Sequence, residues 1–153
     1  MKRFTFSLDK VLKLRSQETE QAKRALALAL SALDQAQQRA MMAHQELADR
    51  TEEASIREQT GITAAEFGTL RSYLAFLQRA VAQAEQQVSM AEQVVGQRRE
   101  ALMAARQRER VLERLRERRL EQYTLEALVE EQKVLDELGA SPGLKKAANN
   151  LDI

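Results

Sequence analysis

Cysteine and tryptophan are absent from this 153-residue chain, proline occurs once, at Pro142, and glycine only five times. Without cysteine there can be no disulfide staple and no thiolate metal site, so stability has to come from packing, and the lack also fits a reducing compartment. Scarce proline and glycine leave few places for turns. Aromatic residues make up 4% of the chain, too little for a thick globular core. Abundant Ala, Leu, Gln, Glu and Arg give instead the composition of long helices. The most apolar run, Ala25 to Leu33, is nine residues including Ser31, far below the ~20 that a membrane span needs. The basic start Met1-Lys2-Arg3 is followed by Asp9, Lys10 and Lys13 rather than by the apolar centre of a signal peptide. Membrane association, if it occurs, is expected to be peripheral.

Charge is balanced in total, at +1, and uneven in place. Nine arginines lie between Arg98 and Arg119, where the acids are Glu100, Glu109, Glu113 and Glu117. Downstream, Glu121, Glu126, Glu130, Glu131, Asp136 and Glu137 face a single cation, Lys133. The second half therefore passes from basic to acidic.

Hydrophobic periodicity predicts two long helices. In the first, one heptad stripe runs Leu12, Thr19, Leu26, Leu33, Ala40, Leu47, Ala54, and its companion Leu8, Arg15, Ala22, Ala29, Ala36, Ala43, Arg50. Leucine opposite alanine along one face is a coiled-coil seam that lets a partner helix approach closely. In the second, fours and threes alternate through Leu70, Leu74, Leu77, Val81, Ala84, Val88, Ala91, Val95, Arg98, Leu102 and Ala105, with Arg98 the polar exception. The stripe resumes at Leu112 and Leu115, turns polar around Arg118, Arg119 and Gln122, and returns at Leu125, Leu128, Val129, Leu135 and Leu138.

Between them, Thr60-Gly61-Ile62-Thr63 breaks the pattern. Thr63 and Glu66 have capping-box spacing, and Ile62 and Phe67 that of a hydrophobic staple. Gly139 is expected to cap the second helix and Pro142 to prevent its resumption. The predicted fold is all-α: a single coiled-coil domain, helix 7–59, turn 60–63, helix 64–138 and a flexible tail 139–153 with at most a short turn at Leu144 to Ala148. The helices form an antiparallel hairpin whose second arm is longer and overhangs. Folding at Gly61 makes positions whose numbers sum to about 122 face one another, so that Leu8 would lie near residue 114. At ~1.5 Å per residue the stretch after 115 would then run on the order of 35 Å beyond the first helix. A parallel homodimer of continuous helices, with 60–63 as a stutter, is the structural rival.

Catalytic chemistry finds little to work with. His44 is the single histidine, so neither a paired-histidine metal site nor a histidine triad with alternatives can be assembled; His44-Gln45-Glu46 lacks the second histidine of a metalloprotease motif. No glycine-rich phosphate loop occurs, and Gly96 stands alone inside a predicted helix, where a bend or a close helix contact is the expected role. The reading is a non-enzyme with no cofactor, no metal and no small-molecule substrate. The arginine-rich stretch suggests phosphate binding, yet no aromatic lies between Phe76 and Tyr123 to stack bases. Glu109, Glu113 and Glu117 alternate with the arginines at spacings that suit ion pairs along a helix. A solvated face or a protein-binding surface is favoured over nucleic acid. Tyr73 and Phe76 divide evenly between packing and docking.

The order of these features resembles the FliJ family of flagellar export proteins and its type III secretion relatives. The matching residues are Phe4-Thr-Phe6-Ser-Leu8-Asp-Lys10-Val-Leu12-Lys-Leu14-Arg15 near the start, then Gly61-Ile62 with Phe67, Tyr73, Leu77, Ala80 and Val81, and finally Lys133-x-x-Asp136-Glu137. The resemblance implies an antiparallel coiled coil similar to the central stalk of rotary ATPases, at the cytoplasmic face of the inner membrane. Its implied partners are a hexameric export ATPase, a membrane-embedded export-gate protein and export chaperones. By the same resemblance Tyr73, Leu77 and Ala80 would face the gate; Ala84 departs from some members, and the first arm lacks aromatics opposite this row. Lys2, Arg3, Lys10 and Lys13 with Arg106, Arg114, Arg116, Arg118 and Arg119 would face the ATPase ring. The rival from another class is a generic coiled-coil scaffold or a nucleic-acid-binding hairpin.

Overall fold

A computed structural model describes residues 2–141 and Gly143. The expectations for Pro142 and for the tail from 144 lie outside the described residues. Two helices follow one another, α1 at Asp9–Thr60 and α2 at Ala64–Gly139. Between them Gly61 takes φ of 96°, a conformation that glycine enters without a Cβ clash. The next helix is then started by reciprocal bonds: the Glu66 amide donates to Thr63 Oγ1 at 3.2 Å and the Thr63 amide to Glu66 Oε2 at 3.4 Å. These are the two bonds of a capping box.

The chain condenses into two compact units, Gln17–Arg106 and Met1–Ser16 with Gln107–Ile153. In the first, the chain doubles back at the turn and the core is a narrow seam. Buried positions on α1 are Thr19, Ala29, Ala36, Ala40 and Ala54, and on α2 Leu74, Leu77, Val81, Val95, Leu102 and Ala105, all of them on the stripes set out above. Ala54, Leu74 and Leu77 form a cluster against which Leu47 and Leu70 pack. Small residues on α1 opposite larger ones on α2 allow the close approach that their pattern suggests. Arg50 and Arg98, the stripe cations that fall in this unit, are exposed. Arg50 turns to Glu53 at 2.9 Å; that hydrogen bond and the charge of Glu53, followed by Tyr73 and Glu46, raise its pKa. At the seam edges His44 Nε2 lies 2.8 Å from Glu85 Oε1, and Arg71 Nη2 lies 3.5 Å from Glu58 Oε1.

In the second unit, the first residues are not helical. Phe6 is buried and Phe4 half-buried, while Arg3 and Thr5 are exposed, the two-residue alternation of an extended segment lying on a surface; Ser7 and Leu8 then form a turn, closed by Asp9 N donating to Phe6 O, that leads into α1. Its surface is α2. The Phe4 ring sits 5.5 Å from that of Tyr123, and the Tyr123 hydroxyl donates to the Lys2 carbonyl. This corrects the expected register. Lys2 meets residue 123 rather than 120, and the offset is already present between helical residues of the hairpin, where His44 lies against Glu85 and Glu58 against Arg71. The described N-terminal segment, which precedes α1, thus reaches Tyr123 of α2.

Two glycines behave differently from expectation. Gly139 is the last residue of α2 and does not take positive φ. The helix ends instead on Ala140 N to Asp136 O at 2.9 Å and on a three-residue turn closed by a longer bond, Ser141 N to Leu138 O at 3.3 Å. Gly96 is exposed, and a Cβ built on it meets nothing within 4 Å, so no close helix contact requires it. Replacing Gly96 by Ala should raise stability by about 0.5–1 kcal/mol, whereas Gly61→Ala should lower it by about 1–2 kcal/mol through the left-handed backbone. Thermal unfolding followed by circular dichroism should show opposite shifts in Tm; a fall for Gly96→Ala would mean that this glycine has a packing role.

Candidate partner-binding surfaces

In the hairpin unit Gln17–Arg106, the Tyr73 row is divided by its own helix. Three- and four-residue spacing places Leu77 beneath the surface, 5% exposed in the cluster with Leu74 and Ala54. Ala80 is half-buried. Tyr73, one side-step from the seam, stays 39% exposed, and Phe76 beside it is 59% exposed. The two rings are stacked with centroids 6.5 Å apart and planes 19° from parallel, an arrangement that favours aromatic pairs. The Tyr73 hydroxyl reaches Glu46 Oε1 of α1 only weakly, at 3.5 Å. What this surface offers to a partner is therefore Tyr73 with Phe76, with Leu77 supporting them from below.

Nearer the turn, Phe67 is also exposed, with the Arg71 guanidinium 5.0 Å above its ring, a cation–π contact. Of the turn residues, Gly61, Thr63 and Glu66 are exposed and Ile62 is half-buried. Their described contacts start α2.

The basic residues divide between the two units. Arg106 belongs to Gln17–Arg106; Lys2, Arg3, Lys10, Lys13, Arg114, Arg116, Arg118 and Arg119 belong to the other. All of them are exposed. Lys13 and Arg116 line one shallow groove with Asp9, Glu109, Glu113 and Glu117, and Lys13 Nζ is 3.2 Å from Asp9 Oδ2. Among the described residues, no ion pair joins the arginines of 106–119 to Glu109, Glu113 or Glu117, although the sequence spacing suits such pairs. An exposed pair is worth ~0–1 kcal/mol and must hold two long side chains still, so these guanidinium groups stand in solvent, free to meet an outside carboxylate.

No group of three or more His, Asp or Glu side chains among the described residues could hold a metal ion. Nor is any helix among them long and apolar enough to cross a membrane.

The geometry is thus a capped two-helix hairpin with exposed aromatics in one unit, and an N-terminal segment clasped onto α2 in the other. A family model for the flagellar FliJ protein matches residues 4–147, nearly all of this chain. The chain belongs to the FliJ family. Membership makes it a protein of type III export. No curated protein matches it. Among solved structures, a YscO homologue from Chlamydia trachomatis is similar, with a TM-score of 0.61 over 99% of this chain and 100% of that one, at 17% identity. At that identity the likeness speaks for the fold, and the fold is the two-helix hairpin.

Sequence reasoning alone did not reveal the N-terminal clasp. Its signal was the spacing Phe4-x-Phe6 ahead of the first helix, which has the period of an extended strand rather than of a helix. The burial pattern around Tyr73 leads to a separable test. Leu77→Ala should cost about 2 kcal/mol or more of unfolding free energy, while Phe76→Ala should stay within about 0.5 kcal/mol. Urea titration of both variants checks this, and equal losses would show that Phe76 is packed rather than displayed.

Proposed function

We infer that this FliJ-family chain is a non-enzymatic stalk or adaptor of type III protein export, joining a hexameric export ATPase to the export gate and assisting export chaperones. The observation that carries the reading is the family match over residues 4–147 on a chain folded as a two-helix hairpin. It acts at the cytoplasmic face of the inner membrane and touches the membrane through protein partners. A non-enzymatic role agrees with a structure whose exposed groups suit docking: stacked aromatics and unpaired guanidinium groups.

The ATPase-facing surface is assigned to the unit that holds both the N-terminal segment and the start of the C-terminal half of α2. There Lys2, Arg3, Lys10 and Lys13 stand with Arg114, Arg116, Arg118 and Arg119, and Arg106 extends the basic stretch in sequence. Cations in this number can steer the unit into an acidic ring lumen. The gate-facing surface is assigned to Tyr73, with Leu77 and Ala80 forming its base and Phe76 added on the strength of its exposure. Aromatic side chains of this kind dominate interface energetics where they can be fully covered.

Reversing Arg114, Arg116 and Arg118 to Glu should reduce stimulation of the export ATPase about tenfold or more with helicity retained. The check is a steady-state ATPase assay beside circular dichroism, and full stimulation by the reversed variant would sink the ring assignment. Tyr73→Ala with Phe76→Ala should weaken capture of the gate protein's cytoplasmic domain and leave ATPase stimulation in place. Loss of both activities together would point to unfolding instead.

A further inference from the structure

The described N-terminal segment meets α2 at Tyr123, and the apolar face of the helix continues beyond that residue. Helical spacing brings Ala127, Leu128, Glu131, Val134, Leu135 and Leu138 onto one face, in line with the side of Tyr123 that Phe4 covers. Leu128 and Leu135 are each 61% exposed, and Val134 and Leu138 are exposed as well. Glu130, Glu131, Val134 and Leu135 line a shallow groove on this helix. The face thus continues an established intramolecular interface beyond Tyr123.

Its charge says what kind of chain would cover it. Glu131 stands in the middle of the apolar stripe, and Glu130 and Glu137 flank it. Lys133, the single cation of 121–139, lies on the opposite side of the helix. A carboxylate at the centre of a helix seam, once covered, is favoured where the facing helix brings a cation, and such a pair also sets the register. A second copy of the same face would set Glu130, Glu131 and Glu137 against themselves, which like-charge repulsion disfavours. An anionic lipid surface would be repelled for the same reason.

We propose that the 127–138 face of α2 is a docking site for a basic amphipathic helix of a partner protein, whose apolar stripe pairs with Leu128, Val134, Leu135 and Leu138 and whose central Lys or Arg meets Glu131. This surface lies in the same unit as the basic stretch assigned to the ATPase ring, C-terminal to it in sequence, and is distinct from the Tyr73 surface assigned to the gate. It adds a third contact, of opposite charge, and does not depend on those assignments.

The test uses the full chain and a labelled helical peptide about three heptads long, with Leu on one stripe, Lys flanking it and one Lys at its centre. Fluorescence anisotropy should give saturable binding that weakens with salt. Leu128→Asp with Leu135→Asp should weaken it about tenfold or more. Glu131→Lys should weaken the Lys-centred peptide and strengthen a Glu-centred one, a reciprocal exchange that non-specific attraction between a basic peptide and an acidic helix does not produce. Equal binding of both peptides to both chains would overturn the proposal. So would concentration-dependent self-association of the peptide-free chain that Leu135→Asp abolishes, which would make a second copy the occupant.

Discussion

Everything in this structure depends on a seam only two helices wide. Each helix of the hairpin can turn one stripe toward the other, and nothing covers the remaining circumference. That is why no large side chain is completely removed from water among the described residues, and why alanine is so frequent on the α1 side of the core. In a thick domain a small residue at the core leaves a cavity. In a two-helix seam it brings the backbones together, and the larger Leu and Val residues of α2 fill the space from one side. Single apolar residues exposed on the outside, such as Met41 and Met42, are the ordinary result of this geometry.

The fold was legible because a seam of this kind is written in one dimension. Heptad spacing marked the buried residues of both helices, and the Thr63 to Glu66 cap was readable from four letters. Two features escaped. The register is set by how the helices leave the turn, with Glu58 against Arg71 and His44 against Glu85, and a pivot placed on one glycine gives no measure of that. Gly139 was misread for another reason: a glycine after a helix is a good left-handed cap, but the Asp136 and Leu138 carbonyls there accept from the amides of Ala140 and Ser141 without one.

The candidate surfaces were only half legible. Residue type pointed to Tyr73 and its neighbours, but a helical row cannot tell a displayed residue from the one beneath it, and Leu77 proved to be core. For the arginines, sequence spacing suggested intrahelical pairs, whereas exposed side chains with high rotamer entropy settle in water. Family membership then supplies what neither spacing nor burial could, a context in type III export in which a slender helical pair with unpaired charges has partners to meet.

The contact of Tyr123 with Phe4 and Lys2 gives the molecule an optical property. The chain has two tyrosines and no tryptophan, and the tyrosines are divided between the compact units: Tyr73 in Gln17–Arg106, Tyr123 in the other. Each unit thus carries one intrinsic fluorophore, Tyr73 stacked on a phenylalanine and Tyr123 bonded to a backbone carbonyl. With Tyr73 changed to Phe, the emission that remains comes from the N-terminal clasp alone, so its opening can be followed without attaching a dye.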